Sequence, residues 1–221
     1  LQEVTNRPFV TACDLVKATQ DTSTFVHVSG VLKSIATKIS KICNDLRLLS
    51  SGPRTGFNEI NLPKMQPGSS IMPGKVNPVI PEVVNQVAFQ VIGYDTTISM
   101  ASEGGQLQLN VFEPIIAYNL FQSISMMCNA FEALAFKCVD GITANEQRCK
   151  ELVLNSIGLV TALNPYIGYQ NATAVAKEAL ESNKSVYDIV LEKKLLSKEQ
   201  LDEYLKPENM THPTYSNECE I

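Results

Sequence analysis

The sequence predicts an all-α protein, a bundle of long helices followed by a small helical domain. Three observations carry this expectation. Apolar residues recur at helical spacing over three long stretches. Strand-like alternation is weak throughout. After Gly141 the predicted elements become short, and each has its own start signal.

Taken in order, residues 1 to 20 are expected to be helical after Pro8. Between Phe25 and Leu49 the apolar residues Val28, Leu32, Ile35, Ile39, Ile42, Leu46 and Leu49 follow steps of 4, 3, 4, 3, 4 and 3. That 3.5-residue repeat belongs to a helix packed lengthwise in a bundle. Lys33, Lys38 and Asn44 fall off the stripe, and Gly52-Pro53 is a firm stop. A second stripe runs through Ile80, Val84, Val87, Val91, Tyr94 and Ile98, widened by Val83, Ala88 and Ile92. A face that wide suits a helix with more than one neighbour. It is interrupted at Ser102-Glu103-Gly104-Gly105, which reads equally as a junction or a functional kink. A third helix is expected from Phe112 to about Val139, with Pro114 tolerated in its first turn. Its apolar residues leave little polar surface, so it is predicted to be central.

Beyond Gly141, Thr143 with Glu146, Ser185 with Asp188 and Ser197 with Gln200 read as capping boxes. Pro165 and Gly168 are expected to break the chain between 160 and 170. The domain boundary is therefore placed near 140: residues 1–140 in the bundle and 141–221 in the small helical domain. Three helices with wide apolar faces do not close a bundle efficiently. The surplus predicts either an oligomer or further helices upstream.

Composition narrows the function classes. The 221 residues are 44% hydrophobic and 19% charged, with a formal net charge of −5 and no basic stripe, which argues against nucleic acid as a partner. No apolar run is long enough to span a bilayer, and the first residues, LQEVTNRPFV, do not read as a signal peptide. They also lack an initiator Met, so the chain reads as part of something longer. Cys13, Cys43, Cys128, Cys138, Cys149 and Cys219 are widely spaced without a C-x-x-C pair. They read as reduced, mostly buried side chains of a cytoplasmic protein. No His, Cys and Asp cluster has metal-ligand spacing, and no metal is expected. His27 and His212, the only histidines, lie in no motif and read as surface or packing residues.

Residues 68 to 78, GSSIMPGKVNP, carry the chemistry. A phosphate-binding loop is excluded: Gly68 and Gly74 are six apart, Val76 stands where a Ser or Thr would follow the lysine, and no apolar strand precedes. An ordinary loop accounts for the glycines and prolines. It does not account for two hydroxyls at Ser69 and Ser70, a positive charge at Lys75 and an amide at Asn77. With a helix N-terminus after Pro78, those groups make a pocket for a carboxylate.

GSSIMPGKVNP resembles the signature loop of the fumarase/aspartase superfamily. So do NDLRLLSSGPRTGFNEINLP (44–63), PVIPEVVNQVAFQVIG (78–93), GQLQLNVFEPII (105–116) and LNPYIGYQNA (163–172). Within it the flanking residues are most similar to the aspartate ammonia-lyase family, in VIPEVVNQ and in Glu113 where fumarases tend to carry lysine. The family's subunits are roughly twice this length, so the chain looks like a C-terminal half: the latter part of the central helical domain and the small C-terminal domain. The resemblance implies that Ser69 is the catalytic base. It implies that Ser70 helps hold the carboxylate beside the carbon losing its proton, and that Lys75 and Asn77 bind the other carboxylate. Glu82 would orient a histidine from another subunit. It further implies a dicarboxylate substrate, L-aspartate or fumarate, no organic cofactor, and a homotetramer whose sites are shared between subunits. Fumarate hydratase is the closest alternative. A helical assembly module without activity of its own is the alternative of a different class.

Overall fold

The structure, a computed structural model, describes residues 1–68 and 76–211. Their regular structure is helical apart from two strands of two residues each. The chain separates into two compact units, Leu1–Ala144 and Asn145–Ile221. No helix of the described residues is long and apolar enough to cross a membrane.

The first unit starts with two short helices, α1 (Gln2–Thr5) and α2 (Leu15–Gln20). The helix expected directly after Pro8 does not form there. Asp14 starts α2 instead, its carboxylate accepting the N–H groups of Val16 and Lys17 at 3.0 Å each. Helix α3 (Ser23–Leu49) follows, and after the loop through strand β1 (Ile60–Asn61) comes α4 (Val79–Glu103). Helix α5 (Glu113–Lys137) leads to strand β2 (Thr143–Ala144), which pairs antiparallel with β1, Asn61 opposite Thr143.

Helix α4 is the middle helix of the three, packed antiparallel against α3 on one side and α5 on the other. This corrects the expectation that the third helix is central. The α5 face carrying Tyr118, Phe121 and Phe136 is 56, 71 and 73% exposed. The heptad stripe of α3 is also split. Leu32, Ile39 and Leu46 pack inward, but Val28, Ile35 and Ile42 stand outward. The innermost line of α3 is instead Ser29, Ala36, Ser40 and Cys43. Small side chains there let α4 approach closely, and the branched residues flank the contact.

The bundle core has three apolar layers. One joins Ile98, Ala101, Ile116 and Leu120; the next Ala36, Ala88, Val91 and Met127; the third Cys43, Val84, Ala130, Leu134 and Cys138. Between the first two lies buried Asp95 on α4, which accepts hydrogen bonds from Ser29 Oγ (2.8 Å) and Lys33 Nζ (2.6 Å) on α3. The turn from α4 to α5 is pinned by Asn110. Its Nδ2 donates to the Ala101 carbonyl at 3.1 Å, and its Oδ1 accepts the Phe112 N–H at 2.9 Å.

The second unit contains α6 (Glu146–Leu154), α7 (Leu159–Ile167), α8 (Tyr169–Ser182), α9 (Val186–Glu192), α10 (Lys198–Tyr204) and α11 (Pro207–Thr211). Leu163, Val175, Val186, Ile189, Val190 and Leu201 form its core. The Ser197–Gln200 capping box forms in full at the start of α10. At α9, Ser185 Oγ accepts the Asp188 N–H at 3.1 Å. The expected Thr143 cap does not form: Thr143 is held in the β1–β2 ladder, where its Oγ1 accepts from Asn61 Nδ2 at 3.2 Å, and Asn145 precedes α6. Pro165 lies within α7 rather than ending it. The break falls at Gly168, whose φ of 78° a glycine adopts without strain.

Candidate active site

Two segments of the first unit converge around the ends of the signature loop. The first is the turn after α3, residues 50 to 62. It folds back on itself, the Asn58 N–H donating to the Ser51 carbonyl at 2.8 Å and the Glu59 N–H to the Leu49 carbonyl at 2.9 Å. Gly56 makes the turn feasible, because a Cβ there would sit 2.4 Å from the Ser51 carbonyl. The second is the entry to α4, where Val76, Asn77 and Pro78 lead into the helix. Ser50, Asn58, Asn61, Val76 and Pro78, with apolar neighbours, line a cavity of about 140 Å³ between the two segments.

The sequence-predicted residues divide into two groups. Ser69, Ser70 and Lys75 lie outside the described residues, as does His212. Asn77 and Glu82 are described, and both are half-buried. The Asn77 carbonyl accepts the Val79 N–H at 2.9 Å, and the Pro78 carbonyl accepts the Glu82 N–H at 3.1 Å. Glu82 therefore sits in the first turn of α4, where the helix dipole favours a carboxylate. Proline supplies no side-chain cap, so the first turn of α4 has no capping side chain and Glu82 is its acidic residue.

One turn further along α4, Asn85 is 3% exposed amid apolar side chains. Its Nδ2 donates to the carbonyl and Oγ of Ser40, at 3.0 and 2.8 Å. Its Oδ1 accepts from Arg47 Nη1 at 3.3 Å. Sequence reading passed over these three residues. The sequence offers little signal, because Asn85 is one of three amides, with Gln86 and Gln90, between Val83 and Val91.

Of the six cysteines, Cys219 lies outside the described residues. Cys43 and Cys138 are buried free thiols, while Cys13 and Cys128 are exposed, so the expectation of mostly buried cysteines holds for only part of the set. Burial pushes the Cys43 thiol up to about 11; the neighbouring Cys138 adds to the effect and the Arg47 charge opposes it. A thiol that stays protonated at neutral pH is a poor nucleophile. His27 is exposed on α3. Among the described residues, no group of three or more His, Cys, Asp or Glu is placed to hold a metal ion.

Comparison with known sequences and structures places these features in context. The sequence family described as Lyase matches residues 1–93, and the one described as Fumarase C C-terminus matches residues 159–212. The chain is 68% identical over 213 residues to an aspartate ammonia-lyase of Helicobacter pylori (strain ATCC 700392 / 26695), covering 96% of this chain and 46% of that protein. It is 57% identical over 215 residues to the aspartate ammonia-lyase of Escherichia coli (strain K12), covering 97% and 45%. Among solved structures, a fumarate lyase:delta crystallin from Brucella melitensis bound to cobalt superposes with a TM-score of 0.88 at 52% identity, covering 96% of this chain and 46% of that one. A class II fumarase from Schistosoma mansoni gives 0.84 at 38% identity, covering 93% and 43%. The chain thus spans about half the length of the curated relatives it matches.

Proposed function

Because the chain belongs to the fumarase/aspartase superfamily, we propose that it is the C-terminal portion of an aspartate ammonia-lyase, which interconverts L-aspartate with fumarate and ammonia. The observation that carries this reading is the likeness to curated aspartate ammonia-lyases along nearly the whole chain, signature loop included. We assign residues 1–140 to the latter part of the central helical domain and 141–221 to the small C-terminal domain.

In this reading Ser69 removes a proton from the carbon beside one substrate carboxylate. That carbon is a very weak acid, and its deprotonation builds a doubly charged aci-carboxylate. The site must therefore stabilise negative charge as it develops. Ser70 helps hold this carboxylate, while Lys75 and Asn77 hold the other. Glu82 orients a histidine supplied by another subunit. The C–N bond then breaks, ammonia leaves and fumarate remains. Lys75 and the uncapped α4 N-terminus both favour an ionised serine, because each stabilises nearby negative charge. The chemistry invokes no organic cofactor. We place the assembled enzyme in the cytoplasm as a homotetramer with sites built where subunits meet.

The rival within the superfamily is fumarate hydratase, which shares the loop and adds water instead of ammonia. Steady-state assays of the full-length protein decide between them. Fumarate formation from L-aspartate supports the proposal, and formation from malate alone overturns it. The 221-residue chain by itself lacks the partner groups and is expected to be an inactive helical module. Measurable aspartate deamination by the purified chain alone would contradict that.

A further inference from the structure

We infer that Asn85 is a positioning residue for this reaction: it locks the first turns of α4 against α3 and so sets where Glu82 presents its carboxylate. The inference rests on the proposed role of Glu82. Its physical basis is the cost of the amide. Asn85 is 3% exposed, and at such a buried position an unpaired amide is costly. The amide is nonetheless satisfied, and its partners are placed in a particular way. Nδ2 directs both bonds to Ser40, at 2.8 and 3.0 Å, and Oδ1 accepts a hydrogen bond from Arg47 Nη1 at 3.3 Å. Ser40 and Arg47 lie two turns apart on α3. One contact would tolerate rotation about it, whereas two contacts spread along the neighbouring axis fix both sliding and rotation of α4.

Those two movements are the ones that matter for Glu82. It lies three residues before Asn85 on the same helix, about 4.5 Å nearer the signature loop. A slip of one residue would shift Glu82 by about 1.5 Å along the axis and swing it by about 100°. Misplacement of a catalytic group by about 1 Å can cost on the order of 100-fold in rate. Asp95, with Ser29 and Lys33, ties α4 to α3 about three turns further along. Asn85 is the polar tie nearest Glu82, and a buried amide with one matching set of partners fixes the local register there, as polar core residues do in register selection.

The test is a double-mutant cycle in the full-length enzyme, comparing Asn85→Leu, Glu82→Gln and the double variant. It uses L-aspartate or malate, whichever the wild type turns over. Asn85→Leu is expected to keep or raise the thermal midpoint while kcat falls about 10- to 100-fold. The double variant is expected to be no slower than Glu82→Gln alone, because Asn85 acts through Glu82. Losses that multiply, or Asn85→Leu within about twofold of wild-type kcat, overturn the positioning role. If Asn85→Leu does not assemble, Arg47→Met leaves both Ser40 bonds of Asn85 in place, removes the Arg47 bonds to Asn85 and Asn44, and repeats the cycle by the same criteria. A wild type inactive on both substrates sinks the proposed function itself; an active wild type with multiplying losses sinks only this inference.

Discussion

Asp95 is a buried carboxylate in the bundle interior. Burial would raise its carboxyl pKa, but the hydrogen bonds from Lys33 and Ser29, with the Lys33 charge, outweigh burial and hold it below the ordinary value. A carboxyl lowered on folding stabilises the native state above its unfolded pKa, about 3.9, and that contribution fades as pH falls through the folded value. Urea midpoints are therefore expected to be insensitive to Asp95 ionisation from about pH 5 upward and to decline in acid below about pH 4. Asp95→Asn should flatten that acid decline; an unchanged acid slope would show that Asp95 does not carry it. Lys33→Ala leaves the carboxylate with Ser29 alone and should cost about 1–3 kcal/mol at neutral pH, toward the low end because the Lys33 side chain is half-exposed and water partly replaces it. At the proposed site, Ser69→Ala in the full-length enzyme is expected to abolish turnover while aspartate still binds, since it removes the base and leaves the Lys75 and Asn77 contacts. Equilibrium binding alongside kcat separates these effects, and near-normal turnover would remove Ser69 from the role of base.

Among the elements, the α4–α5 turn shows how little slack a satisfied polar group leaves. A Cβ on Gly105 would lie 2.8 to 3.0 Å from three atoms of the Asn110 side chain. Asn110 is fully buried and cannot yield without giving up bonds to Ala101 and Phe112. Gly105→Ala is thus expected to cost about 1–3 kcal/mol, read as a lower thermal midpoint; an unchanged midpoint would mean the loop relaxes freely. The extents of the long helices were legible because their ends are written in local chemistry: Gly52-Pro53 after α3, Pro78 before α4, Gly104 after it. Which face turned inward was less legible. Small residues such as Ser29 and Ala36 line the contact, and no periodicity of large apolar residues reports them. The helix start expected after Pro8, in place of Asp14, and the cap expected at Thr143 misled for a related reason. Either could cap a helix, and the outcome depended on where the next segment lay. The residue types of the loop suggested a carboxylate pocket, while the roles proposed for Ser69, Ser70 and Lys75 rest on resemblance, and those residues lie outside the described ones. Asn85 was not legible, because its partners Ser40 and Arg47 lie 45 and 38 positions upstream and only folding brings them together.

For the whole molecule, the question is what covers the outer faces of the bundle. Val28, Ile35 and Ile42 form one exposed apolar line on α3, and Tyr118, Phe121 and Phe136 form a larger one on α5. Large exposed apolar side chains grouped on one helix face point to contact with other helices, even with polar Ser125, Asn129 and Glu132 among them on α5. Two sources are available: the upstream part of the same subunit, and other subunits of the proposed tetramer. They predict different behaviour. At a subunit interface, Phe121→Lys buries a charge where two copies meet and should cost at least about 2 kcal/mol of association. The full-length variant would then run as smaller, still helical species by light scattering. Because the proposed sites are shared between subunits, turnover should fall in step with dissociation and recover as protein concentration is raised. If the same face is covered within the subunit, Phe121→Lys should instead lower the thermal midpoint of an intact assembly without releasing folded smaller species. That second pattern would remove this α5 face from the interface. Full activity in a dissociated subunit would overturn the shared site altogether, and with it the reason Glu82 needs a histidine from elsewhere.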